Sequence, residues 1–407
     1  MNPTYLVTAK KLVTVSPLGT VRDGAMRVRN GKITAIGSAV ELAEQYPNDP
    51  LLDYQDSVIT PSLVDCHTHL LEFAPTMLFP VTPETHFLAG RAILFNALQS
   101  GITALGEQVC GHPHCDFAVE DYRHAVADLP LDITFATTSI SIGFPELAHY
   151  SAITRSKAIL KSDLVHPQLI TEIAMASEFP GENIFINATP ANFTRDKVPR
   201  AGEIIYSLEE MQRITSIYHK LGKRIGAHVA GEEGIRRALE SGIDVLHHAH
   251  GITEDLVEDA VKRRVAVVAT PLGGTHLPPN SPQEIVGLAE KGIRVSISTD
   301  AYLPPYPGVP WLPYTDQSPR GPEELMRVAH PAMALLQSRQ LDENEILAML
   351  TAHPAEILGK GDRFGKLEPG MDANFLVADG VPGLDITDAS QIQAVFFKGR
   401  KMIQRTL

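Results

Sequence analysis

The hydrophobic rhythm of the chain changes twice along its length. From residue 1 to about 57, runs such as YLVTA, KLVTVS and AMRVRNGKITAIG alternate apolar and polar positions with the period of two of half-buried strands. The RNGK step inside the last run is a tight-hairpin signature, because Asn-Gly adopts the left-handed conformations that such turns require. The far end has the same texture, in GKLEPGMDANFLVADG and IQAVFFKGRKMIQ. Two β-rich ends around a different middle predict one small, discontinuous β-sandwich domain, built from residues 1–57 and 356–407.

Between them, from 58 to 355, short β-branched runs are followed by longer segments of helical period. The runs are VITPSLVDCH, GITALGE, LDITFATT, NIFINAT, RIGAHVA, IDVLHHAH, RVAVVAT and RVSISTD. Helix starts between them are marked by capping boxes: Ser207 with Glu210, and Ser281 with Pro282 and Glu284, the latter segment closing on Gly292. Eight βα repeats predict an α/β fold of the (β/α)8 TIM-barrel type rather than an open doubly wound sheet. The third crossover, about 143–182, is long and irregular.

Composition narrows the function classes. With 44% apolar and 20% charged residues, the 407-residue chain can bury a large core. A net charge of −13, from 35 basic and 48 acidic residues, argues against nucleic-acid or anionic-membrane partners; the expected partner is a small-molecule substrate, about which the charge is silent. Nothing approaches about 18 uninterrupted apolar residues, so no membrane span is expected. The start MNPTYLVTAKKLVTV lacks a signal peptide's apolar block, and three cysteines make a poor disulfide framework. A reducing cytoplasm is the expected compartment. A homo-oligomer is compatible with all of this. The 16 histidines are the excess that composition does not explain.

In a barrel of this kind the chemistry sits at the C-terminal ends of the strands. The first run ends in Asp65-Cys66-His67-Thr68-His69, the fifth in His228, the sixth carries His247-His248-Ala249-His250, and the eighth ends in Asp300. Residues two apart on a strand share a face, so His67 and His69 both point inward. An imidazole pair, a further imidazole and a carboxylate around one barrel mouth make a site for a divalent cation such as Zn, Mn or Fe.

PSLVDCHTHL, GAHVAG, ALESGIDVLHHAHG, SISTDA and TAHPAEILG followed by GKLEPGMDANFLVAD resemble the corresponding segments of the amidohydrolase superfamily over nearly the whole chain. The resemblance implies that His67, His69 and Asp300 bind a buried metal, with His228 and His248 as the remaining imidazoles. His247 is expected to alternate outward toward a helix, and His250 to face substrate or stand behind the ligands. Two-metal members carry a bridging carboxylate on strand 4, where this chain has Asn187 in NIFINATP. A neutral amide is a poor bridge. One metal, probed first as zinc, is therefore expected on His67, His69, His228 and Asp300, with His248 hydrogen-bonding the attacking hydroxide or the substrate. Glu172 is the alternative bridge that would permit two metals, and Glu178 and Lys197 are weaker candidates.

These residue types imply hydrolysis. A divalent ion lowers the pKa of its water from 15.7 to about 7, Asp300 can act as general base and then acid, and His248 can stabilise the developing oxyanion. The family's single-metal deaminases place a Glu three residues after the strand-5 His, where this chain has Gly231, followed by Glu232 and Glu233. The resemblance therefore leans to the prolidase-like and imidazolonepropionase-like branch, cleaving an amide or lactam C–N bond. Deamination of a nitrogen heterocycle, or ester hydrolysis on the same scaffold, is the alternative; a non-catalytic relative would have lost ligands that this chain retains. Substrate contacts are expected from His250, from His276 in GGTHLPP, and from Asn192 and Arg195 in ANFTRDK. The aromatic, Pro-rich loop after Asp300, with Tyr302, Tyr306, Trp311 and Tyr314, reads as a lid or as packing against a neighbouring subunit. CGHPHC (Cys110, His112, His114, Cys115) is too tightly spaced for a finger-type zinc site and reads as a loop after the second strand, with Glu107 or His112 near the metal or as ordinary packing.

Overall fold

The computed structural model describes residues 4–72, 82–109, 116–144, 146–151, 161–188 and 201–405. The chain begins with strands β1 (Thr4–Val13), β2 (Thr20–Arg29), β3 (Lys32–Ser38) and β4 (Leu51–Pro61). Eight short parallel strands follow: β5 (Leu63–Thr68), β6 (Ile102–Val109) and β7 (Asp132–Thr137), then β10 (Ile184–Phe185), β11 (Gly226–Ala230), β12 (Val245–His250), β13 (Ala266–Ala269) and β14 (Val295–Ile297). An antiparallel hairpin, β8 (Ser139–Phe144) and β9 (Glu146–Ser151), stands in the irregular third crossover. The chain closes with β15 (Phe375–Ala378), β16 (Ile392–Phe397) and β17 (Arg400–Gln404).

The two ends of the chain meet in one seven-stranded sheet of order β17-β16-β15-β4-β1-β2-β3. Tyr5, Val7 and Ala9 point from one face of β1 into a core with Met26, Phe375 and Phe396, while Leu6 turns to the other face and packs on Leu42 of the helix Ala39–Gln45. This is the period-two pattern with both faces used. The β2–β3 hairpin turns on Asn30 and Gly31, both at positive φ (53° and 79°), as the RNGK step predicts. The edge strand β3 folds back to the segment before β15, where Ile33 N–H donates to Met371 O (3.0 Å) and Ala373 N–H to Gly31 O (2.9 Å).

The eight parallel strands form a three-stranded sheet, β5-β6-β7, and a five-stranded one, β10 to β14 in order. All eight correspond to the runs read from the sequence. Backbone bonds join the sheets beside the histidines: Asp300 N–H donates to His67 O (3.0 Å) and His69 N–H to Ala301 O (2.7 Å). On the other side, Glu178 N–H donates to Phe135 O (2.8 Å). The strands are buried on both faces, and helices such as Leu208–Lys220 and Pro282–Glu290 cover them through apolar stripes. Both of these helices start with the capping boxes expected, Ser207 with Glu210 and Ser281 with Glu284.

Candidate metal centre

Six side chains with metal-binding atoms converge where β5, β11, β12 and β14 end. His67 and His69 leave β5 on one face, His228 comes from β11, His248 from β12, and Asp300 follows β14. The sixth is Glu182, in the turn between the helix Pro167–Ala176 and β10. All six are buried. Three sets of their atoms lie within 4.8 Å of one another: His67, His69 and Glu182; His67, His248 and Asp300; Glu182, His228 and His248.

Glycine packing brings Glu182 into this cluster. A Cβ on Gly181 would collide with Gln108 and Ala136, and one on Gly226 with the carbonyls of Pro180 and Gly181. The turn therefore lies flat against β6, β7 and β11. Gln108 Oε1 accepts the Glu182 N–H (2.8 Å), which fixes the carboxylate in the interior. Glu182 was invisible to the strand-end rule because it stands before β10, not after it.

The donor spacings differ across the site. His67 Nε2 lies 3.2 Å from Asp300 Oδ1 and 3.7 Å from Glu182 Oε1; His69 Nε2 lies 3.3 Å from Glu182 Oε2 and 3.6 Å from Asp300 Oδ1. Bonds of about 2.1 Å at tetrahedral angles put neighbouring ligand atoms about 3.4 Å apart, so each of these imidazole–carboxylate pairs has the spacing of two ligands on one cation. His67 Nε2 makes no hydrogen bond among the described residues, as a lone pair reserved for an ion should. On the other side, His228 Nδ1 and His248 Nε2 each lie 2.7 Å from Glu182 Oε1, which is hydrogen-bond spacing. The His228 ring is further held by stacking on Phe185, centroids 4.5 Å apart.

The electrostatics follow from burial and from the two carboxylates. Burial pulls His67 down to about 3 and His248 to about 4, so both rings are neutral. Burial also pulls on His69, but Glu182, Asp300 and Glu107 outweigh it and raise the ring to about 9. Burial pushes Glu182 up, yet the imidazoles of His67 and His228 hold it well below the usual carboxylate range. Asp300 is pushed up to about 6 by burial, against the pull of His248 and His69.

The remaining expectations fall in different places. Asn187 is buried but used in the scaffold, its Oδ1 accepting from Ala230 N–H and its Nδ2 donating to Gly202 O, both at 2.9 Å. Glu172 is exposed on the helix Pro167–Ala176, 3.3 Å from Gln168, and Glu178 accepts from Phe135 N–H. The carboxylate among the imidazoles is Glu182, not Glu172. His247 does not face a helix: its Nδ1 lies 2.7 Å from His67 Nδ1 and its Nε2 3.0 Å from Pro180 O. The reason is a break in β12, where His248 and Ala249 take positive φ (70° and 51°) and the register with β11 slips, so adjacent histidines both turn inward. His250 is buried between Thr275 Oγ1 (2.8 Å) and Thr270 Oγ1 (3.3 Å).

Glu107 takes part behind β5, accepting from the Thr68 hydroxyl and from the N–H groups of Leu70 (3.2 Å) and Leu71 (3.0 Å). His276 is half-buried against Gly202, and its ring is drawn down by burial and then by His228. Gly274 lies against the centre itself, since a Cβ there would overlap Asp300 Oδ2 and crowd the His248 ring. In the loop after Asp300, Tyr302 is half-buried. Trp311 and Tyr314 pack on Leu272, Leu312 and Val328, and Tyr314 donates to Glu324 (2.7 Å). Tyr306 N–H donates to Leu272 O (2.8 Å). Asn192, Arg195, Lys197 and the stretch holding Cys110, His112, His114 and Cys115 lie outside the described residues.

The chain is similar to known proteins over most of its length. An imidazolonepropionase of Cupriavidus pinatubonensis is 27% identical over 398 residues, covering 89% of this chain and 84% of that one. A 5-methylthioadenosine/S-adenosylhomocysteine deaminase of Syntrophobacter fumaroxidans is 24% identical over 396 residues, covering 90% and 83%. The crystal structure of a Xaa-Pro dipeptidase with bound methionine in its active site shares the fold, with a TM-score of 0.70 at 15% identity over 98% of this chain and 99% of that one. The sequence model of the Amidohydrolase family matches residues 58–403, from the end of β4 to the last strand, and the chain belongs to that family.

Proposed function

We propose that the protein hydrolyses an amide or lactam C–N bond of a small organic substrate, using a divalent cation of the zinc type. His67, His69, Glu182 and Asp300 would hold the first ion, and Glu182, His228 and His248 would offer a second position sharing the carboxylate. The observation that carries this reading is the convergence of four buried imidazoles on two buried carboxylates at ligand spacing. The (β/α)8 barrel spanning 58–355, with the curled sheet of 1–57 and 356–407 as its sandwich domain, is the architecture we assign; the backbone bonds between β5 and β14 support its closure. A cytoplasmic setting is favoured by the three cysteines, and no helix of the described residues is long and apolar enough to cross a membrane.

A bound divalent ion supplies Lewis acidity, lowering the pKa of a water and polarising the scissile carbonyl. The chain's residues do the rest. Asp300, with a carboxyl near 6, takes the proton of the attacking water and returns it to the leaving nitrogen, so the C–N bond breaks to a carboxylate and an amine. The Gly273-Gly274 turn covers Asp300 and His248 and keeps bulk water off them. His276, Tyr302 and Trp311, with Asn192 and Arg195, remain the proposed substrate contacts. His250 has both ring nitrogens engaged by threonines, which suits a supporting place behind His248.

Deamination of a ring amine is the second reading, favoured by the deaminase relative. Against it, Gly231 stands where the proton-shuttling Glu is expected, and Glu232 and Glu233 are exposed and paired with Arg236 and Arg237. The test is to offer the zinc-loaded protein N-acyl amino acids, dipeptides ending in proline, five-membered lactams and aminopurines. Release of a carboxylate with an amine, abolished by exhaustive chelation, is the expected result. Ammonia from a ring amine without a new acid would overturn the amide reading in favour of deamination; full turnover after chelation would overturn the metal.

A further inference from the structure

Two hydrogen-bond chains run outward from the site imidazoles, and each ends on a backbone carbonyl. A carbonyl can only accept, so it fixes the direction of every bond behind it. The first chain ends on Pro180 O, which accepts from His247 Nε2 (3.0 Å). His247 is fully buried and pairs with no carboxylate among the described residues, so its ring carries one proton; with that proton on Nε2, its Nδ1 is a lone pair. That lone pair stands 2.7 Å from His67 Nδ1, and His67 must supply the proton. The Nε2 of His67 is then the bare nitrogen, and it is the atom that faces Asp300 and Glu182.

The second chain ends on Gly273 O, which accepts the one hydroxyl proton of Thr270 (2.8 Å). Thr270 Oγ1 has only lone pairs left for the two rings beside it. His248 Nδ1 (2.7 Å) must donate to it. With Nδ1 protonated, His248 turns its Nε2 lone pair to Glu182 Oε1 at 2.7 Å. Two lone pairs at that distance repel unless a proton or a metal ion lies between them.

We infer that His247 and Thr270 are positioning residues that protonate the same nitrogen, Nδ1, on His67 and on His248, and so aim both Nε2 lone pairs into the carboxylate pair. Neither residue touches the centre; each acts through a ring that does. The inference rests on the cation reading above for its purpose, but the proton positions stand on the hydrogen bonds alone. The two devices come from unrelated parts of the chain. Pro180 belongs to the turn that supplies Glu182, and Gly273 to the turn that covers Asp300, so each anchor also fixes a carboxylate's surroundings.

The test uses full-length protein with 15N-labelled histidine. The long-range 15N–1H spectrum should show Nδ1 protonated on His67 and His248, with and without zinc, their signals assigned by loss in His67→Asn and His248→Asn. Zinc titration then separates positioning from bulk. His247→Leu and Thr270→Val should each weaken zinc binding about 10- to 100-fold, the range for partners behind a ligand. His247→Gln can still accept at its amide oxygen and donate at its amide nitrogen, and Thr270→Ser keeps the hydroxyl, so both should return most of the affinity. An unprotonated Nδ1 on either ring of the wild-type protein overturns the inference, and so does wild-type zinc affinity in both His247→Leu and Thr270→Val. Wild-type protein that binds no zinc would instead overturn the proposed function, and the spectrum without metal would still decide the proton positions.

Discussion

The two sides of the centre carry the same residue types and do different things with them. On the β5–β14 side, His67 and His69 each stand 3.2 to 3.7 Å from an oxygen of Asp300 and an oxygen of Glu182. On the β11–β12 side, His228 and His248 close to 2.7 Å on a single oxygen, Glu182 Oε1. The first side has its imidazoles and carboxylates at ligand spacing; the second is clamped on a carboxylate. The difference assigns Glu182 its part: held from behind by two imidazoles, it is presented to the other two. Glu182→Gln therefore breaks both sides at once. Zinc affinity should fall by more than about 100-fold, beyond what loss of an outlying partner produces, as read by equilibrium dialysis and metal analysis. Binding within tenfold of wild type would remove Glu182 from the ligand set.

The same comparison predicts an order of filling. The β5–β14 side should take the first equivalent tightly, and the β11–β12 side a second, weaker one, because an ion there must first open the 2.7 Å contacts of His228 and His248 with Glu182 Oε1. His228→Asn should keep the tight equivalent and lose the weak one, whereas Asp300→Asn should weaken the tight one. Isothermal titration with zinc resolves the two steps. A tight equivalent that vanishes in His228→Asn would place His228 with the first ion, as a single-metal ligand set of His67, His69, His228 and Asp300 requires.

The two strands β5 and β12 show why part of this centre was legible and part was not. In β5 no residue takes a positive φ, and the two-residue spacing of His67 and His69 places both at the centre although the register with β6 shifts between Asp65 and Thr68. In β12 the alternation fails at His248 and Ala249, and a period-two reading sends His247 to the wrong side. Nothing in LHHAHG announces the positive φ values, which coincide with the register shift against β11. The eight strands and the capped helices were readable because each depends on local pattern. Glu182 was not, because its position depends on two glycine contacts between distant segments, at Gly181 and Gly226, and the stretch EFPGEN reads as an ordinary acidic turn. The hairpin β8–β9 lies in the one crossover whose pattern was irregular.

Acid sharpens the contrast between the two histidines of β5. In the metal-free protein His67 is neutral through burial, while His69 is raised to about 9, Glu182, Asp300 and Glu107 outweighing its burial. An ion that takes the Nε2 lone pair of His69 must expel that proton, whereas His67 has none to lose. Zinc binding at pH 7.5 should therefore release about one proton per tight equivalent, measurable with a pH indicator in weak buffer. The sign follows directly: protons compete with the ion below the raised value, so affinity falls about tenfold per unit as pH drops from about 9 toward 6. Below about 6 Asp300 also takes a proton, and the slope should steepen toward a hundredfold per unit. Glu107→Gln removes one of the charges that raise His69 without removing a ligand, and should lower the pH at which the first slope begins. A slope of zero between pH 8 and 6.5 would mean that the first ion does not displace a proton from His69, and would return that histidine to the scaffold.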